Sequence, residues 1–389
     1  GPPPPGYSSE ETAALLEGYP ETDIPDGKKV NVIAVMLEAY NDFSRFDVPG
    51  LSTDVYQTWH NLEQEGYSGD LVVNIFGGGT VDTERCFLTG YHKGCNFRTT
   101  VNAWPWYFRS QGYLVEGFHP NVRWFYNREN VNEYLGFENY YYLDDVESFA
   151  AAVPLASDGE LFEEILKAYQ RSVSAGQPYF NYSLSLQGHG PYGDEGYYWG
   201  EQGAYAVNNG SYTDKQHYVL ENYLGSVAST NESLQKFTDA LRTDTEPVVL
   251  VLFGDHNPAL GADVYSAMGI NINTGTEDGF HNYYSTRYII WANESAKRIL
   301  GDTFSGEGPA ISPCFLMNQV FERCGWEGPP YLQALKDISE EVQVVHVSGV
   351  NMKNGRFVGE ADAEASRAAA EFKCLEYGRR KQPLDSIYK

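Results

Sequence analysis

Residues 30 to 37 (VNVIAVML) form a nearly continuous apolar, β-branched run. Five similar runs follow at 71–76, 113–118, 179–186, 248–253 and 288–291. Runs this short and this apolar suit strands buried on both faces, as in a parallel sheet covered by helices. Helical patterns lie between them, for example at 159–172 and 221–241. The alternation predicts an α/β fold with a mostly parallel central sheet flanked by helices on both faces. A chain of 389 residues can form one large domain of this kind or two smaller ones.

The residues just after these runs carry the functional signal. Glu38 follows the first, Gly77-Gly78-Gly79-Thr80 the second, His119 the third, Gln187-Gly188-His189-Gly190 the fourth and Gly254-Asp255-His256 the fifth. Open α/β sheets bind ligands at the carboxyl ends of their strands. Adjacent oxygen and nitrogen donors at Asp255-His256 suit a divalent cation. Alone, that pair or Glu38 is only a polar turn, whereas together at two strand ends they point to a metal site. The three glycines allow a tight turn and a close backbone approach. Thr80 then stands near a helix start, where anions are favoured, and a hydroxyl beside a metal is activated by losing its proton. The local alternative is a plain N-cap, with Thr83 or Glu84 closing a capping box. No Lys follows the glycines, so this is not a nucleotide-binding phosphate loop. Arg128 has the fork to clamp phosphate oxygens, against the alternative of a surface ion pair with a neighbouring Glu. His189 offers acid–base or phosphate-donor chemistry, against that of an incidental loop histidine.

Charge and cysteines narrow the setting. Lys and Arg number 27 against 53 Asp and Glu, a formal net charge of -26, which excludes a nucleic-acid partner. It also repels anionic lipid headgroups unless a metal or a local Arg/His cluster reverses the sign at the site. Of the five cysteines, the 86/95 and 314/324 spacings suit local disulfides in an oxidising compartment, and buried free thiols are the alternative. No stretch approaches the roughly 20 apolar residues of a membrane span. The opening Gly1-Pro2-Pro3-Pro4-Pro5-Gly6 reads as a linker edge, so the expectation is a membrane anchor removed upstream. The expected organisation is a linker or juxtamembrane segment at 1–27, a catalytic domain at 28–345 and a C-terminal appendage at 346–389. Within the domain, 191–215 is a Tyr- and Gly-rich surface loop expected over the site.

The segments NVIAVMLEAYNDFS (31–44), GGGTVDTERCFLTG (77–90), FHPNVRWFYNRENVNEYLGFENY (118–140), SLQGHGPY (185–192), VVLVLFGDHNP (248–258) and YIIWAN (288–293) occur in the order found in lipoteichoic acid synthases. The chain resembles these synthases and related phosphoglycerol transferases, in the sulfatase-like branch of the alkaline phosphatase superfamily, over about residues 28–335. The resemblance implies that Glu38, Thr80, Asp255 and His256 hold one divalent metal, usually Mn²⁺, with Mg²⁺ or Zn²⁺ as alternatives. It implies Thr80 as the nucleophile, His119, Tyr126, Arg128 and His189 against the phosphoglycerol group, and His189 in proton transfer or phosphate binding. Tyr126 stands where these synthases tend to have Trp. The implied donor is phosphatidylglycerol and the acceptor a cell-envelope glycopolymer or teichoic acid. The implied place is the extracellular face of a bacterial membrane, reached through an N-terminal transmembrane region. A phosphoethanolamine transferase, another phosphodiesterase or sulfatase-like hydrolase, and a non-catalytic domain of the same fold are the competing readings. The Cys/Ser-x-Pro-x-Arg motif of sulfatases is absent. Arg287 stands before the last strand where Pro is common, and its sequence context gives it no role.

Overall fold

The structure is a computed structural model that describes residues 1–199 and 203–384. Its central sheet contains β1 (Asn31–Leu37), β2 (Tyr67–Val72), β3 (Leu114–Phe118), β4 (Asn139–Tyr141), β5 (Tyr179–Leu184), β6 (Val248–Gly254), β7 (Ser285–Ala292) and β8 (Gly306–Glu307). They lie in the order β4-β3-β5-β1-β6-β7-β2-β8. All neighbours run parallel except β7, which is antiparallel to both β6 and β2. The carboxyl ends of β1, β2, β3, β5 and β6 therefore share one rim.

β1 lies between β5 and β6 and is buried along its whole length. Its side chains alternate between two cores, as the strand period requires. Val32, Ala34 and Met36 face the core that includes Phe87 and Leu88 of the Thr80–Thr89 helix, Leu335 and Phe372. Ile33, Val35 and Leu37 face Trp59, Leu161, Ile165, Leu220 and Leu234. Each fully buried aliphatic side chain contributes about 2 kcal/mol relative to exposure. The helices Asp158–Ser174 and Asp214–Arg242 are both closed by capping boxes, at Ser157/Glu160 and Thr213/Gln216.

The second apolar run departs from its expected strand. β2 begins at Tyr67 and ends at Val72, so residues 73–76 are a connection. Asn74 turns inward there and donates to Asp82 Oδ2 and the His92 carbonyl, both at 2.8 Å. Phe76 stacks on Tyr283 at 4.0 Å between ring centroids. The last run is longer than expected and starts with Ser285, Thr286 and Arg287. Arg287 sits within β7 and donates to Glu63 Oε2 (2.5 and 3.0 Å) and Asp70 Oδ1 (3.0 Å). Those carboxylates explain a cation inside a strand.

All five cysteines are free, which corrects the disulfide expectation. Cys314 lies just before the Leu316–Cys324 helix and Cys324 ends it, and the helix length of about 13 Å is far beyond disulfide reach. Cys86 is buried within the Thr80–Thr89 helix and leans toward Asp82, while the Cys95 thiol donates to Lys93 O. Residues 200–202 of the 191–215 segment lie outside the described residues. The described remainder up to Thr213 holds no helix, and its one bridge pairs Ala206 with Leu51. The first turns of the Asp214–Arg242 helix pin it, through His217 to Tyr197 Oη and Ala206 O (both 2.6 Å) and through Asn222 Oδ1 to Tyr198 N (2.8 Å).

The Ser9–Glu17 and Ala363–Lys381 helices lie against each other, with Thr12 seated on Gly378. Glu376 holds His92 Nδ1 at 2.6 Å, close behind the Thr80–Thr89 helix. The short β9 (Val344–Val345), β10 (Asn351–Lys353) and β11 (Arg356–Phe357) form a separate sheet. Among the described residues, no helix is long and apolar enough to cross a membrane.

Candidate active site

Thr80 occupies the first position of its helix rather than the cap. Gly79 is the cap and adopts left-handed backbone (φ 80°), where a side chain would be strained. Thr83 Oγ1 donates to the Asp255 carbonyl at 2.7 Å. The capping-box alternative is therefore not what forms, and the Thr80 hydroxyl turns toward the rim. It donates to Asp255 Oδ2 at 2.8 Å, lies 3.2 Å from Glu38 Oε2 and 3.5 Å from His256 Nε2. His256 Nε2 lies 3.3 Å from Glu38 Oε1 and 3.2 Å from Asp255 Oδ2. Glu38, Asp255 and His256 form a buried group whose donor atoms all lie within 4.8 Å of one another.

The surrounding backbone orients each donor. Asp255 Oδ1 accepts from Ala39 N (2.7 Å) and His256 N (2.8 Å), which leaves Oδ2 for the shared centre. The Asn257 carbonyl lies 2.8 Å from His256 Nδ1. That partner assigns the proton to Nδ1 and presents the Nε2 lone pair inward. Glu38 N donates to Ser185 Oγ at 2.7 Å. Ala39, next in the chain, has a positive φ of 52°.

Electrostatics show why this cluster fits a cation. Burial and the nearby Glu38 charge push the Asp255 carboxyl well above the usual range. Burial alone would also raise Glu38, but hydrogen bonding and the His256 charge outweigh it and hold Glu38 at about 2. Burial opposes the His256 charge, yet Asp255 and Glu38 raise its imidazole to about 9. Two carboxylates, a hydroxyl and an imidazole compete here for one proton. A divalent cation held by Glu38, Asp255 and His256, beside the Thr80 hydroxyl, would relieve that conflict.

His119, at the end of β3, is 3% exposed, and its Nδ1 lies 2.9 Å from Leu184 O. Burial, and then the Arg128 charge, lowers it to about 3. The imidazole is thus neutral, with Nε2 left as an acceptor. Glu38 and His189 also act on it electrostatically, so these residues share one neighbourhood. Arg128 is 2% exposed and donates through Nε to Glu84 Oε2 at 3.3 Å. It is not the surface arginine of the alternative reading. Its guanidinium lies 5.3 Å from the centre of the Tyr126 ring. Tyr126 is 43% exposed, between the exposed Trp124 and Phe125 on one side and left-handed Asn127 on the other. His189 is exposed, with Nδ1 2.5 Å from the Gly190 carbonyl.

Sequence reasoning missed Ser185 and Asp158, and it weighed Glu84 only as a helix cap. The signal for Glu84 lay in the pattern. Glu84 and Arg85 precede Cys86-Phe87-Leu88 on a helix buried on every side, so charges there must find internal partners. A second cluster, Asp42, His60 and Glu63, is already internally paired. His60 Nε2 meets Asp42 Oδ2 at 2.9 Å, and Glu63 holds Arg287.

The comparisons with known proteins agree with this architecture. A family model described as Sulfatase matches residues 30–322. The chain belongs to the sulfatase family. Its fold is that of the alkaline phosphatase superfamily. Among curated relatives, it is 27% identical over 381 residues to the "Putative cyclic beta-1,2-glucan modification protein" of Rhizobium meliloti (strain 1021), covering 92% of this chain and 55% of that protein. It is 24% identical over 164 residues to Lipoteichoic acid synthase 2 of Bacillus subtilis (strain 168), covering 41% and 23%. The chain thus spans about half or less of the length of these relatives. Among solved structures, this sulfatase-family chain is similar to the phosphoglycerol transferase GacH of Streptococcus pyogenes in complex with sn-glycerol-1-phosphate (TM-score 0.71, 19% identity, covering 97% of this chain and 94% of that one). It is also similar to the lipoteichoic acid synthase LtaP of Listeria monocytogenes (TM-score 0.64, 16% identity, 97% and 100%). The C-terminal periplasmic domain of EcEptC from Escherichia coli shares the fold as well (TM-score 0.57, 14% identity, 92% and 96%).

Proposed function

We propose that this sulfatase-family domain is a metal-dependent transferase that moves glycerol phosphate from phosphatidylglycerol to a cell-envelope glycopolymer or teichoic acid, through a phospho-threonine at Thr80. The observation that carries the reading is the buried convergence of Thr80 Oγ1 with Glu38, Asp255 and His256 at the carboxyl rim of the sheet. These four groups would hold one divalent cation, Mn²⁺ in preference to Mg²⁺ or Zn²⁺. When bound, the cation lowers the pKa of the Thr80 hydroxyl and offsets charge on the phosphoryl oxygens.

The chain's own residues divide the remaining work. Thr80 Oγ attacks phosphorus, the bond to the diacylglycerol oxygen breaks, and that oxygen takes a proton as diacylglycerol leaves. An acceptor hydroxyl then attacks the phosphoglyceryl-threonine, gives up its proton and frees Thr80. His189, exposed at the rim, is suited to carry protons in either half. Arg128 offers its terminal amino groups to phosphoryl oxygens. Neutral His119 has an acceptor at Nε2, which fits a glycerol hydroxyl better than an anionic oxygen. The open rings of Trp124, Phe125 and Tyr126 offer a stacking surface to an acceptor sugar. An extracellular position beside the membrane belongs to the same proposal and is supported by the periplasmic origin of the E. coli neighbour.

The test is metal-dependent release of diacylglycerol from phosphatidylglycerol, with phosphatidylethanolamine and an aryl sulfate as rival donors and Thr80→Ala as control. Selective turnover of phosphatidylglycerol, lost on chelation and restored by Mn²⁺, is the expected result. Preference for phosphatidylethanolamine would reassign the headgroup. No turnover of any donor would favour a non-catalytic domain.

A further inference from the structure

Glu84 lies one helical turn beyond Thr80 and is 2% exposed. A carboxylate at that depth needs partners, and it has two. Tyr182 Oη donates to Oε1 at 3.0 Å, and Arg128 Nε donates to Oε2 at 3.3 Å. The contact uses the inner nitrogen of Arg128, and no described residue accepts a hydrogen bond from its terminal amino groups. The same helix fixes the neighbouring aromatic turn, because Arg85 donates through Nη2 to the Tyr126 carbonyl at 2.9 Å. Arg128 is thus held from behind, with its outer edge free for an anion.

Pairing also sets the charge that an incoming phosphoryl group meets. Arg128 and Glu84 sum to zero, while Arg85, hydrogen-bonded to the neutral Cys95, Asn96 and Tyr126 oxygens, adds a positive charge that acts on both. A divalent cation with Glu38 and Asp255 as carboxylates also sums to zero, and His119 adds nothing. By cancelling one unit of positive charge at Arg128, Glu84 takes more attraction from a doubly charged phosphate ester than from a singly charged one.

We propose that Glu84 is a specificity-determining residue that acts through Arg128 and makes the site favour phosphodiester monoanions over phosphomonoester dianions. The inference rests on the proposed role of Arg128 at the phosphoryl group. It deepens the transferase reading, since the site would take up a diester donor without being held by monoester or inorganic phosphate.

The experiment is calorimetric binding of inorganic phosphate, mostly dianionic near pH 8, and of dimethyl phosphate, a monoanion, to the Mn²⁺-loaded chain. Glu84→Gln should shift the affinity ratio toward inorganic phosphate on the order of ten-fold, the effect of one unit charge about 10 Å away, across the guanidinium, at protein-like screening. Glu84→Asp, which keeps the charge, should leave the ratio within about two-fold of wild type. An unchanged ratio in a folded, metal-loaded Glu84→Gln protein overturns the proposal, as does wild-type protein that binds neither ligand. If Glu84→Gln does not fold, wild type still decides. Its affinity for inorganic phosphate should stay flat or fall as the ligand becomes dianionic, and a ten-fold rise overturns the proposal. Absence of phosphatidylglycerol turnover would refute the donor assignment instead, because the binding ratio is measured without turnover.

Discussion

Asp158 offers a stability test independent of turnover. It begins the Asp158–Ser174 helix that precedes β5, its backbone bonded to the loop that carries His189, and is 3% exposed. Its Oδ2 accepts from Thr230 at 2.6 Å, while Oδ1 has no partner. Its backbone amide donates to Gln187 Oε1 at 3.0 Å, two residues before His189. Burial pushes its carboxyl from the ordinary 3.8 up to about 6, against the Thr230 hydrogen bond and with a contribution from Glu38. A raised pKa means that the fold favours the protonated acid. Its stabilisation is complete below pH 3.8 and is lost as pH rises through 6. At about 1.4 kcal/mol per pH unit between the two values, the loss reaches about 3 kcal/mol. Asp158→Asn cannot ionise, so its stability relative to wild type should increase between about pH 4 and pH 8. Unpaired amide hydrogens where Oδ1 now sits add only a pH-independent offset. For a chain of this length the difference in melting temperature should change by roughly 4 °C across that interval. Differential scanning fluorimetry of chelator-treated wild type and Asp158→Asn reads this directly. A constant difference across pH would refute the assignment of a buried, reluctant acid.

Other expectations are narrower. Thr80→Ala should lower transfer by at least about 10⁴-fold, as loss of a nucleophile does, while melting temperature changes little; steady-state kinetics and a thermal melt check both. Asp255→Asn should weaken metal affinity by at least about ten-fold, because it removes both charge and donor strength, and metal titration followed by activity measures it. Arg287→Met should destabilise the fold by about 2 kcal/mol, since it leaves Glu63 half-buried without its cation and Asp70 with Arg45 alone; denaturant unfolding tests it. Trp124→Ala should reduce transfer to a glycan acceptor by about ten-fold, a typical loss for one aromatic platform, and leave diacylglycerol release unchanged when water is the acceptor.

Strands that carry the site were legible because burial on both faces leaves a continuous apolar signature. β1 and β6 match their expected spans within one residue. β2 was less legible because it lies beyond antiparallel β7 and near the sheet edge, where Ser68, Gly69 and Asp70 are tolerated. The apolar Ile75 and Phe76 pack on the connection instead, and this shifted the expected strand toward Thr80. β4 and β8 have three and two residues, too few to show a period. Glu38, Thr80, Asp255 and His256 could be named because each follows an apolar strand or a glycine turn. Glu84, Ser185 and Asp158 were harder to find, because their importance lies in partners distant in sequence, 44, 147 and 72 residues away for Arg128, Glu38 and Thr230.

The charge arrangement connects these residues into one argument about mechanism. Removing Glu38, Asp255 and His256 from water is costly unless their charges are offset, yet the fold aims all three, with Thr80, at one point. Elsewhere the same chain offsets buried charge internally: Arg128 by Glu84, and Arg287 by Glu63 and Asp70. The Thr80 centre instead has an excess of anionic donors over cationic partners. Such an imbalance is consistent with a centre completed by a cation from solution. The Thr80–Thr89 helix then couples the two halves of the site, since it carries Thr80 at one end of a turn and Glu84 at the other. A small rotation of this helix would move the hydroxyl and the Arg128 clamp together, so packing at Phe87 and Leu88 should influence turnover without either side chain touching substrate.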